Sequence, residues 1–156
     1  MKIVLLLMGK TNDSCLSDHI NDYVNRINRY NKLEIIEIPN IKSSSSLPIN
    51  TILLKESDLI LNYLKESDHL ILLDKKGVSL SSVAFARKMQ DLMFLSKKRI
   101  VFLVGGSYGV EQKIYSRSDE SISLSDMTFP HQIVRIFFVE QLYRSYTILN
   151  NESYHH

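Results

Sequence analysis

A chain of 156 residues with 44% hydrophobic content is long enough for one domain with a substantial core, residues 1–156 taken together. Its net charge of +2 permits a nucleic-acid partner without requiring one, and its single cysteine excludes an internal disulfide and points to a reducing, cytoplasmic setting. No run approaches the roughly 18 apolar residues of a membrane span, and the apolar N-terminal run is too short for a secretory signal.

In chain order, Lys2–Met8 is apolar after its first residue, as expected of a strand buried on both faces. Gly9 and Lys10 end it, and Asp13 or Ser14 can cap the helix traced by Leu16, Ile20, Tyr23, Val24, Ile27 and Tyr30. Cys15, with no basic neighbour in sequence to activate it, reads as a packing residue. A second strand, Leu33–Ile38, stops before Pro39. Residues 40–50, with four consecutive serines, read as a mobile loop rather than a linker, because neither side holds a complete core. The pattern then predicts a helix at 51–64, a strand at 69–73 and a turn at Asp74-Lys75-Lys76-Gly77. Ser81 or Ser82 can cap a helix carrying Phe85, Met89, Leu92 and Met93. A strand at 100–104 runs into Gly105-Gly106, and a short helix follows at 110–118. Strands alternating with helices at this interval predict an α/β fold, a mostly parallel sheet with helices on both faces.

Residues 122–148 carry the densest pattern. A short β-like segment leads into a polar loop, and Pro130 suits a helix start, where its missing N–H costs nothing. Beyond it, Ile133 and Phe137, Val134, Phe138 and Leu142, and Val139 and Tyr143 fall at i, i+4 spacing. A helix apolar on more than one side must be buried on more than one side, which in so short a chain points to a partner subunit.

In open α/β sheets ligands gather outside the carboxyl ends of the strands. Three such ends carry candidates: Leu73-Asp74, Gly105-Gly106 and the loop 124–129. The glycine spacing is GGxxG, not the GxGxxG of a dinucleotide-binding turn, so taken alone it reads more readily as a plain tight turn than as a ligand site. Asp74 could take a ribose hydroxyl or simply sit exposed in a turn. Ser123, Ser125 and Thr128 suit bracing their own loop, and His131 suits either catalysis or a structural hydrogen bond. His19, His69, His131, His155 and His156 show no ligand spacing with cysteines or acids, so no metal site is expected. Lys10, Arg26, Arg29, Lys97, Lys98, Arg135 and Arg144 are the candidate RNA-facing charges. Arg144 stands out on an apolar helix, with Glu140 one turn before it as the simple ion-pair partner.

Taken with VGGSYG at 104–109 and the terminal Tyr154-His155-His156, the stretch ISLSDMTFPHQIVRIFFVEQLYR at 122–144 resembles the bacterial large-subunit rRNA pseudouridine N3-methyltransferases of the SPOUT class. The similarity runs end to end. It implies a C-terminal trefoil knot, which breaks the general rule against threaded chains. It implies a homodimer, with S-adenosyl-L-methionine held in a pocket by Leu73, Gly105, Leu124, Ser125, Asp126, Met127, Thr128 and Phe129. The implied reaction is methylation of N3 of a pseudouridine in 23S rRNA of the assembled ribosome. Arg144, Tyr154 and His155 would be catalytic, the tail closing over the other subunit's cofactor, His155 accepting the proton and Arg144 orienting the anionic base. The tail departs from the family where Asn150-Asn151 stands in place of a common Arg-Gly pair. Asn tolerates the left-handed backbone that Gly provides, so the turn can survive, though one phosphate contact goes with the arginine. Ser145 also stands in place of the usual alanine. The rival readings are a non-catalytic ribosome- or RNA-binding module of the same fold, and a nucleotide-binding oxidoreductase. The intact cofactor loop opposes the first and the missing GxGxxG the second.

Overall fold

Why the apolar runs form a sheet is visible in their alternation. The computed structural model describes residues 1–41 and 46–155. Five strands, β1 (Lys2–Met8), β2 (Leu33–Ile38), β3 (His69–Ser79), β4 (Arg99–Val104) and β5 (Glu120–Ser123), form one parallel sheet in the order β2-β1-β4-β3-β5. Five helices accompany them: α1 (Ser14–Ile27), α2 (Ile49–Tyr63), α3 (Ser82–Phe94), α4 (Gln112–Arg117) and α5 (His131–Leu149). Along β1, Ile3, Leu5 and Leu7 enter one core cluster while Val4, Leu6 and Met8 enter another. β4 divides the same way, with Ile100, Phe102 and Val104 opposed to Val101 and Leu103. The unbroken apolar runs are therefore the signature of strands covered on both faces.

The first cluster takes its helical side chains from α1, α3 and α5, the second from α2 and α4. The crossovers β1 to β2 and β3 to β4 step one way along the sheet, and β2 to β3 and β4 to β5 step back. Helices on opposite faces for opposite steps give all four connections the same hand, as sheet twist demands.

Caps match the local chemistry. Asp13 accepts from the Leu16 amide at 2.9 Å, and Ser81 accepts from the Ala84 amide at 3.1 Å. α5 ends in a Schellman turn, with the Glu152 amide donating to the Thr147 carbonyl at 2.9 Å and the Asn151 amide to Ile148 at 3.1 Å. Asn151 adopts φ of 53°, the left-handed backbone expected where a glycine is common.

Several expectations are corrected. The residues Asp74-Lys75-Lys76-Gly77 do not reverse the chain: β3 runs on to Ser79, and its register with β5 shifts between Leu73 and Val78. Gly77 permits this, because a Cβ there would lie 2.5 Å from the Ile122 backbone nitrogen. Cys15 is exposed rather than packed. The apolar girth of α5 is covered largely within the chain, since α5 lies between α1 and α3 on the sheet. Phe138 is 0% exposed and packs against Phe85 and Phe102, while its neighbour Phe137 is 40% exposed. The serine-rich loop expected at 40–50 falls partly outside the described residues, as does His156.

Candidate active site

Arg135 was a candidate RNA-facing charge, and the structure buries it completely. Its Nη2 donates to the Met8 carbonyl and its Nη1 to the Thr11 hydroxyl, each at 2.9 Å. Thr11 in turn donates to Glu37 at 2.7 Å. Burial lowers the guanidinium's basicity and Glu37 raises it, with burial the larger cause. One turn earlier, Gln132 donates to the Lys10 carbonyl at 3.0 Å and accepts from the Asn12 amide at 3.1 Å. Gln132 and Arg135 thus lock the start of α5 onto the β1–α1 loop. The signal for this was present in sequence, as Arg135 shares the helix face of Phe138, Val139 and Leu142.

This lock brings the chain from the outer strand β5 back across the carboxyl ends of β3 and β4, and the crossing segment walls a cavity of about 590 Å³. Leu73 closes it at β3, Gly105 at β4, and Leu124, Ser125, Met127, Thr128 and Phe129 from the crossing loop. Asp126 alone of the predicted ligand set does not line it, because its carboxylate accepts from the Ser79 hydroxyl at 3.1 Å. The loop braces itself: the Ser123 hydroxyl donates to the Ser125 carbonyl at 2.8 Å, and the Ser125 hydroxyl accepts from the Met127 amide at 3.0 Å.

Across the cavity the glycine segment forms a tight turn, the Gly109 amide donating to the Gly106 carbonyl at 3.0 Å, with Gly109 at φ of 83°. A Cβ on Gly105 would stand 2.7 Å from a Val110 methyl and 3.0 Å from the Gly109 carbonyl, so that glycine is needed for the turn to close. Asp74 lines the mouth and accepts from the Lys76 amide at 2.8 Å. Tyr115 lines the cavity too, its phenol pushed up to about 12 by burial and then by Asp74. His131 completes the wall, 3.5 Å from the Ser107 hydroxyl. Burial first and Arg135 second depress its basicity, which favours a neutral ring.

Sequence reasoning missed Glu56 altogether. It lies in α2 on the buried stripe of Ile52 and Ile60, spaced at i, i+4, and it is 9% exposed with its carboxylate oxygen Oε2 unpartnered. That spacing was the available signal: an acid midway along an apolar stripe.

Arg144, Tyr154 and His155 do come together, but elsewhere. Arg144 donates to Glu140 Oε1 from Nε at 3.0 Å and from Nη2 at 2.5 Å, so the simple ion pair is present. That pair raises the guanidinium's basicity. Its Nη1 lies 3.4 Å from His155 Nδ1, and its charge sits 4.8 Å above the Tyr154 ring. The Tyr154 hydroxyl donates to Glu140 at 3.1 Å and meets the Tyr23 hydroxyl at 3.3 Å. Burial, then the bond to Tyr23, pushes that phenol's pKa up, which keeps it a donor. Glu152 anchors the tail further through the Tyr30 hydroxyl at 2.8 Å. None of the three catalytic candidates lines the cavity. Along α5, Arg144 stands about 15 Å beyond Val134, which does line it. Of the other candidate charges, Lys10, Lys97 and Lys98 are exposed, and Arg26 pairs with Asp22 at 2.7 Å.

A family model described as "Predicted SPOUT methyltransferase" matches residues 1–155. This chain is a SPOUT methyltransferase. It is 45% identical over 156 residues to ribosomal RNA large subunit methyltransferase H of Parabacteroides distasonis, and 46% identical to the protein of that name from Flavobacterium johnsoniae. Each alignment covers 100% of this chain and 99% of the relative. Among solved structures, tRNA (m1G37) methyltransferase from Aquifex aeolicus matches with a TM-score of 0.56 and 16% identity, over 92% of this chain and 70% of that one. That likeness carries the SPOUT fold alone. Among the described residues, no helix is long and apolar enough to cross a membrane, and no group of three or more His, Cys, Asp or Glu residues could hold a metal.

Proposed function

We propose that this SPOUT methyltransferase transfers a methyl group from S-adenosyl-L-methionine to N3 of a pseudouridine in 23S rRNA, with the assembled ribosome as substrate. The observation that carries the reading is the cavity at the strand ends. Its roughly 590 Å³ suits a ligand of nucleoside size, and it joins apolar walls to backbone at a glycine turn. The names of the two relatives support large-subunit rRNA as the substrate. A C-terminal trefoil knot belongs to the same reading, supported by the return of the chain from β5 across β3 and β4 to α5.

The cofactor, when bound, supplies an electrophilic methyl group on a positively charged sulfur. Leu73, Gly105 and the loop 124–129 would hold and orient it. The pseudouridine N3 must lose its proton before its lone pair attacks. Transfer would leave a neutral methylated base and, because the sulfur would keep the bonding electrons, a neutral thioether. His155 is the proposed proton acceptor. Arg144, with Nε and Nη2 committed to Glu140, would turn Nη1 from its 3.4 Å contact with His155 Nδ1 to steady the anionic base. Tyr154 holds the tail in place through Glu140 and Tyr23.

The separation of the tail from its own cavity supports a homodimer in which each tail completes the partner's cavity. A monomer would leave the two halves of the site apart. Phe137, exposed beside Phe129 at 4.9 Å between ring centres, is a fitting part of the dimer face.

Calorimetric titration with S-adenosyl-L-methionine tests the cofactor assignment. Gly105→Val should abolish binding by forcing the glycine turn away from Val110, with the melting temperature falling by only a few degrees. Unchanged affinity in that variant would remove the cavity from the reading.

A further inference from the structure

Charged side chains almost never sit in a protein interior without a partner, since a buried carboxylate costs several kcal/mol in lost hydration. Glu56 does so. It is 9% exposed, and its Oε2 has no hydrogen-bond partner. Burial alone raises its pKa; no neighbouring cation contributes. Lys55 and Asp58 on its own helix are exposed, and Lys113 of α4 is held at 2.5 Å by Asp58.

Its position gives this cost a use. A Cβ built on Gly106 would lie 2.6 Å from Glu56 Oε2 and 3.1 Å from its carboxyl carbon. Gly106 also lines the cavity. The carboxylate therefore sits against Gly106, a residue of the cavity wall. The other charges near the cavity act differently. Lys75 and Lys76 are exposed at the mouth, where water and salt screen them, and Asp74 is half-exposed. The His131 ring is held toward its neutral form. Glu56 faces the cavity wall through low-dielectric protein, and although burial alone favours its neutral form, a cationic ligand there would hold it ionised.

We propose that Glu56 is the charge-selecting group of the cavity: a buried carboxylate behind Gly106 that favours a ligand with a net positive charge over its neutral counterpart. The proposal rests on the cofactor reading above. There, the cationic counterpart is the sulfonium donor and the neutral one is the thioether left after transfer, S-adenosylhomocysteine. A site that held both equally would be inhibited by its own product. A carboxylate paired with a lysine would have its field cancelled, so the missing partner is what allows selection. A unit charge at about 10 Å, through an effective dielectric of about 20, changes affinity by a factor on the order of ten.

The test is calorimetry on the full chain with S-adenosyl-L-methionine and with S-adenosylhomocysteine, for the native protein and for Glu56→Gln. The expected result is that Glu56→Gln weakens the sulfonium ligand about tenfold and the thioether by less than about twofold. Glu56→Asp, which keeps the charge, should retain most of the native preference. Equal weakening of both ligands would mean that Glu56 only supports the glycine turn, and no change in either would mean that its charge does not reach the cavity. Either result overturns the proposal. Should Glu56→Gln not fold, Glu56→Ser must show the same collapse in the ratio, and a preserved ratio there overturns the proposal equally. Failure of the native protein to bind either compound would instead contradict the cofactor reading, which the native titration reports separately.

Discussion

The cavity and the tail are built from opposite materials. The cavity is mostly backbone: a glycine turn at 105–109, a self-braced serine loop at 123–127, and an extended β3 closed over β5 by Gly77. The tail cluster is made of side chains, with Glu140 Oε1 joining Arg144 and Tyr154, and Tyr23 and Tyr30 tethering the terminus. Backbone cradles are rigid before a ligand arrives, so the order of the first region comes from the fold. A terminus held by a few half-exposed polar contacts can let go and dock again. The difference suits a site whose cofactor half is preformed and whose substrate half closes late.

α5 joins the two regions, contributing Val134 to the cavity and Glu140 and Arg144 to the tail cluster. Breaking its seat should therefore damage both at once. Phe138, fully buried against Phe85 and Phe102, is the place to do so. Phe138→Ala should cost about 3–5 kcal/mol of stability by chemical denaturation, with loss of cofactor binding.

Removing the tail separates the regions. Deletion of residues 154–156 should leave the melting temperature and the affinity for S-adenosyl-L-methionine nearly unchanged, while methyl transfer to ribosomes falls at least a hundredfold. Full activity in the truncated protein would remove Tyr154 and His155 from the mechanism. The smallest expected effect lies at the joint between helix and tail. Asn151 holds φ of 53°, so Asn151→Ala should cost about 1 kcal/mol in thermal unfolding and lower turnover slightly, while Asn151→Gly should do neither.

Much of the fold was legible in the residues themselves. β1 and β4 show as unbroken apolar runs and α1 as a clean stripe behind Asp13, while the left-handed turn at Asn151 follows from the family resemblance, in which a glycine is common there. What escaped notice depends on contacts distant in sequence. Asp74-Lys75-Lys76-Gly77 has the composition of a turn, but the backbone of Ser121 and Ile122 passes close enough to Gly77 to keep it in the sheet. Arg135 looks like a surface charge until the Met8 carbonyl and Thr11 are brought beneath it. Glu56 looks like one of several polar residues in α2, and its burial depends on Gly106 having no side chain. Local chemistry writes strands, caps and turns. The proposed pairing of cavity with tail would need a second copy of the chain, so no contact within one chain displays it.

Mixing two inactive variants measures that pairing. Gly105→Val destroys the cavity of its own chain and deletion of residues 154–156 destroys its tail, so neither homodimer should transfer methyl groups. In a mixed dimer, one cavity faces one intact tail. Denatured together and refolded, the two should regain about a quarter of native methyl transfer to unmethylated ribosomes, because half the dimers would each carry one complete site. Activity on mixing no greater than that of either variant alone would show that cavity and tail do not meet across a dimer.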